Sequence, residues 1–155
     1  MSPCAGIRTP LLAVAVVLVA STALADRNLA GVKTLRCDFT LLTTVGWKDG
    51  VPLQESRPVT FSLRFQGINT TDGFATTVIN DVPTEIIARL AGDYLHFIHM
   101  FMEEEGKLYV TTVFNKDSRP GRQKAVHTRH QLRDSLLPTY ASAPEQYYGD
   151  CEAGG

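Results

Sequence analysis

All four histidines of the chain fall in two matching spacings, His96-Phe-Ile-His99 and His127-Thr-Arg-His130. On a helix, residues three apart share a face and could hold one metal ion between them. In a strand they point to opposite faces. Both pairs lie in alternating, strand-like stretches, so a metal site would need one histidine from each pair of His96, His99, His127 and His130, plus a carboxylate. The nearest carboxylates, Glu103, Glu104 and Glu105, have the character of a solvated hairpin tip. Cross-strand packing is the simpler role for these imidazoles, and no metal or cofactor is expected.

Other chemistry-bearing residues form one basic cluster: Arg119, Arg122, Lys124, Arg129 and Arg133, interleaved with His127 and His130. Such a run is ordinarily a solvated strand face. Its sharper reading is a dock for a small anion, because arginine forks match carboxylate and phosphate; Arg122, Lys124 and His127 are the candidate residues. Motifs for catalysis are missing. No Gly-x-Ser-x-Gly elbow, phosphate loop or dinucleotide fingerprint occurs, and no catalytic residue is assigned. An enzyme therefore ranks third among the function classes.

The elements that must position these groups are strands. Val59, Phe61, Leu63 and Phe65 alternate with Thr60, Ser62, Arg64 and Gln66, the period-two pattern of a half-buried strand. Cys37–Val45, Phe74–Ile79, Tyr94–Met102, Leu108–Phe114 and Arg122–Arg129 follow suit, separated by turn residues at Thr71-Asp72-Gly73, Gly92-Asp93, Glu103–Lys107 and Ser118–Gly121. Residues 82–91 are ambiguous. Asp81 and Pro83 could open a short helix, but turns at both ends favour a strand over Thr84–Leu90. A shorter eighth piece is expected around Gln146–Cys151. Leu136–Pro144 is loop-like, and both Asp26–Gly31 and Glu152–Gly155 look like loose ends.

Tyr94–Met102 is apolar on both faces, with Leu95, Phe97, His99 and Phe101 on one and Tyr94, His96, Ile98, Met100 and Met102 on the other. It is either a central strand covered on both sides, by Thr84–Leu90 or the C-terminal tail, or a strand lining a cavity on one face and meeting a partner or a second copy on the other. The ligand-binding candidates on this strand and on the Val59–Gln66 strand are Phe61, Phe65, Tyr94, His96 and Phe97.

Short strands with turns between them and little helix imply an all-β barrel or, as the alternative, a β-sandwich. The cysteines favour the barrel. Cys37 lies in the first strand and Cys151 at the end of the last segment, so a bridge between them joins first and last elements, as closure of an up-and-down barrel of about eight strands requires. In this architecture the chain is similar to lipocalin-like (calycin) barrels, which implies an interior able to hold one small ligand. The likeness is one of pattern: Gly46-Trp47 is adjacent, at the far end of the first strand, and no Gly-x-Trp motif precedes it.

The first 25 residues have the form of a secretory signal peptide, with Arg8, an apolar run from Leu11 to Ala20, and Ala23-Leu24-Ala25 before the cut. That run is too short for a membrane span, which needs roughly 20 residues. Cleavage would remove 25 of the 155 residues and leave a single domain, 26–155. Export would also favour the disulfide. The whole chain has 15 Lys+Arg against 16 Asp+Glu, 44% hydrophobic and 20% charged residues, which argues against both disorder and nucleic-acid binding. Asn69-Thr-Thr matches an N-glycosylation acceptor. The expectation is a secreted or periplasmic, soluble, non-catalytic module for a small apolar, amphipathic or anionic ligand. The domain is expected to be monomeric or weakly dimeric, and an interaction or envelope structural protein comes second.

Overall fold

A computed structural model describes residues 29–79, 81–101, 107–130, 132–133, 141–142 and 144–154. The segment read as a signal peptide, the Glu103–Glu105 tip and residues 134–140 lie outside these. The strands are β1 (Leu35–Lys48), β2 (Val51–Asn69), β3 (Phe74–Ile79), β4 (Val82–Ala91), β5 (Tyr94–Phe101), β6 (Lys107–Arg119), β7 (Arg122–His130), β8 (Leu132–Arg133), β9 (Ala141–Ser142) and β10 (Glu145–Ala153). Eight of them form one closed antiparallel ring in the order β1-β10-β7-β6-β5-β4-β3-β2, while β8 and β9 pair with each other. The architecture is therefore the all-β, up-and-down barrel that alternation and turn spacing imply.

Residues 82–91 form a strand. Thr84 to Ile87 pair with β3 and Ile87 to Ala91 with β5, so both backbone edges find partners that a helix would forgo. β4 lies beside β5 in the ring and does not cover its outer face. The eighth piece is a full strand, longer than Gln146–Cys151, because it bridges β1 and β7 along its whole length. β1 and β2 also run further than their alternation suggests, meeting at Asp49-Gly50, both with positive φ (53° and 78°). That Asp-Gly pair is the turn chemistry of a two-residue hairpin.

The ends are tighter than they look in sequence. Leu29, in a 3-10 turn at Leu29–Gly31, is buried against the barrel core, and the Ile68 amide donates to the Lys33 carbonyl. Glu152 and Ala153 belong to β10, and the Gly154 amide donates to the Thr34 carbonyl. Asn69 is engaged in its own turn: its Oδ1 accepts from the amides of Thr71 and Asp72, and its Nδ2 donates to Asp72.

Cross-strand register stacks the interior in rows. One row holds Gln123, Cys151, Cys37 and Leu63, with the Cys37–Cys151 disulfide at its centre. Next come Leu95, Val113, Ala125, Gly149, Phe39 and Phe61. Gly149 carries no side chain for a steric reason. A Cβ there would press on the Asp38 carbonyl oxygen and stand 2.7 Å from the Phe39 Cα, beside the bulge between Phe39 and Leu41. Phe65 and Phe97 stack with ring centres 3.9 Å apart and fill the middle.

Candidate functional site

Two further rows make the polar end of the interior. Phe97, Thr111, His127 and Tyr147 pair across β5, β6, β7 and β10, followed by His99, Tyr109, Arg129 and Glu145. Alternation dictates this: with Ala125 packed in the core, His127 and Arg129 must face inward too. A cavity of about 220 Å³ lies against these rows, with Phe61, Leu63, Phe65, Ile86 and Phe97 as apolar wall and Thr77, His99, Thr111, His127 and Arg129 as polar wall.

The cavity has an opening in the wall of the barrel. The β2–β3 ladder holds only from Phe65 to Asn69. Beyond it, Phe61-Ser62-Leu63 on β2 and Thr77-Val78-Ile79 on β3 all line the cavity, and these include the outward-facing, exposed Ser62 and Val78. The slot between the two strands thus connects the interior to solvent.

Arg129 is the unusual member. Its guanidinium carbon lies 4.6 Å from the ring centre of Phe61, 4.8 Å from Tyr147 and 5.3 Å from Tyr109, a three-ring cage that stabilises the cation by cation–π attraction. Its Nε donates to His127 Nε2 at 3.2 Å, so the His127 proton sits on Nδ1 and is directed at Thr111 Oγ1, 2.8 Å away. Burial, reinforced by the Arg129 charge, pushes the His127 pKa down to about 3, and the ring is neutral. Glu145 accepts a hydrogen bond from the Tyr147 hydroxyl at 2.7 Å and stands 3.9 Å from Arg129 Nη1. Burial and that hydrogen bond raise the Tyr147 pKa, against the pull of Arg129 and Arg57. His99 has its pKa lowered by burial, and its Nδ1 is buried with no hydrogen-bond partner.

Of the residues singled out from sequence, Phe61, Phe65, Phe97 and His127 line the cavity. Tyr94 and His96 do not, because they occupy the face of β5 opposite Leu95 and Phe97; Tyr94 packs edge-on against Phe114, and His96 Nδ1 pairs with Thr112. Each histidine pair splits as a strand requires, with His99 and His127 inward and His96 and His130 on the other face. Among the described residues, no group of three or more His, Cys, Asp or Glu could hold a metal ion.

Arg122 and Lys124 also lie outside the barrel. Lys124 is exposed. Arg122 bonds Asp38 at 2.7 Å and Glu152 at 2.6 Å, and its Nε bonds Asp150. Burial opposes its charge, but the hydrogen bonds it donates to Asp150 and Asp38 hold its pKa above the ordinary arginine value. Three carboxylates already satisfy this cation, so it has little left for an anionic ligand. The binding candidates chosen from sequence left out Tyr109, Glu145 and Tyr147, and included Arg129 only as a member of the basic cluster. A signal existed for Arg129, which shares the parity of His127 on one strand.

Models of known protein families give no match to this chain, and no curated protein matches it in sequence.

Proposed function

We propose that the protein is an exported, non-catalytic module that binds one small amphipathic molecule inside its barrel. The observation that carries this reading is the 220 Å³ cavity with an aromatic and aliphatic wall on one side, convergent polar groups on the other, and a slot between β2 and β3. Binding sites have this character: apolar lining with a few placed polar groups. The Cys37–Cys151 disulfide supports an oxidising compartment, and no helix among the described residues is long and apolar enough to cross a membrane.

The test is a fluorescence titration with an environment-sensitive apolar dye, repeated on Ile79→Trp, which enlarges a side chain at the slot. Saturable one-to-one binding that weakens at least fivefold in the variant is expected. Non-saturating dye uptake, or equal binding by the variant, would overturn the reading.

A second reading has one specific observation in its favour. Phe74, Ile87, Ile98 and Val110 pair across β3 to β6 on the outer face, with Met100 and Tyr94 exposed nearby. This apolar band suits a protein partner or a second copy of the chain. Sedimentation that depends on concentration would favour it.

A further inference from the structure

We propose that the polar end of the cavity takes a carboxylate, and that the ligand is a short-chain monocarboxylic acid whose head group is held by the Nη atoms of Arg129. This deepens the cavity-binding reading and rests on it. A guanidinium has five N–H donors. The rings of Phe61, Tyr109 and Tyr147 stand around Arg129, and Nε is spent on His127. The four remaining donors, on Nη1 and Nη2, meet no acceptor within hydrogen-bond distance among the described residues. Glu145 is 3.9 Å from Nη1 and already accepts from Tyr147. About 25% of the Arg129 side chain is accessible, and it lines the cavity from which an acceptor for these donors would arrive.

A second observation points to the same end. His99, whose Nδ1 is buried and unpartnered, lines the cavity with other atoms of its side chain or backbone and belongs to the His99–Tyr109–Arg129 row. Two strand spacings, roughly 10 Å, separate the backbones of His99 and Arg129, a span that the arginine side chain and a carboxylate fill together. Since His127 is neutral, Arg129 is the cation that its own row and the next present to the cavity. Glu145 partly offsets that charge, whereas Arg57, whose field reaches the Tyr147 hydroxyl, adds to it. This balance suits a single negative charge better than a phosphate dianion.

Volume sets the length of the ligand. At about 30 Å³ for each water-sized group, 220 Å³ holds about seven non-hydrogen atoms. That is the scale of a five- or six-carbon acid, with longer tails leaving through the slot between β2 and β3. The hydrocarbon part would lie among Phe61, Leu63, Phe65, Ile86 and Phe97.

The experiment is a calorimetric titration of the full, disulfide-bonded protein at pH 7.5 with hexanoate, 1-hexanol and hexylamine, then with Arg129→Gln. Hexanoate is expected to bind at least tenfold more tightly than 1-hexanol, with hexylamine the weakest. In Arg129→Gln the acid loses this advantage while the alcohol keeps its affinity within about twofold. The comparison of ligands on the unaltered protein stands even if the variant fails to fold. Equal affinity for acid and alcohol overturns the carboxylate assignment and leaves the cavity reading intact. Binding of none of the three overturns both.

Discussion

Lowering the pH should destabilise this barrel mainly through His127, while His99, whose pKa burial also lowers, adds a loss common to the parent and to any His127 variant. In the folded protein the His127 pKa lies at about 3, against an ordinary value of 6.5. Above pH 6.5 the imidazole is neutral whether the chain is folded or not, and contributes no pH dependence. Between pH 6.5 and about 3 the unfolded chain binds a proton that the folded chain refuses, so stability falls as the pH falls. Each pH unit in that window costs up to about 1.4 kcal/mol, so going from pH 7.5 to 4.5 removes about 2.7 kcal/mol. For a domain of this size that is a drop of about 10 °C in Tm. The control is His127→Gln, whose amide can accept from Arg129 Nε and donate to Thr111 but does not titrate. Asp38 and Asp150 have pKa values below the ordinary 3.8, so the stability they contribute is present above that value and is lost on further acidification, in both proteins alike. Thermal unfolding followed by circular dichroism at the two pH values gives the answer. A His127→Gln variant that loses as many degrees as the parent would refute the burial argument.

Two further outcomes follow from the barrel's closure. Cys37→Ala with Cys151→Ala removes a crosslink between residues 114 positions apart, which on the chain-entropy relation lowers stability by about 4.8 kcal/mol; chemical denaturation of the double variant checks this, and a loss under about 1 kcal/mol would contradict it. Gly149→Ala places a methyl against the Asp38 carbonyl and the Phe39 backbone, so it should cost about 3 kcal/mol, read as a fall in the denaturation midpoint at unchanged slope.

Alternation in the chain already marks which residues share a face: Val59, Phe61, Leu63 and Phe65 on β2, or Leu95, Phe97, His99 and Phe101 on β5. Turn residues such as Gly73 and Gly92 delimit the strands, and two cysteines near the ends of the domain identify the elements that meet. These features depend only on neighbours along the chain, because side-chain direction in a strand repeats every two residues. Which face turns inward is a different matter. Tyr94 and His96 are as apolar or as chemically able as Phe97 and His99, and only closure of the ring sends one pair out and the other in. The basic cluster divides by the same rule. Arg122 and Arg129 lie on one strand with opposite parity, so Arg122 meets Asp38, Asp150 and Glu152 outside, while Arg129 enters an aromatic cage. That cage takes Phe61 from β2, Tyr109 from β6 and Tyr147 from β10. The slot beside it exists because β2 outruns its pairing with β3. Neither can be read from local pattern, since each depends on distant segments meeting in one register, and that register is fixed only when the sheet closes and the disulfide row, the Phe65–Phe97 stack and the bulge at Phe39 pack together.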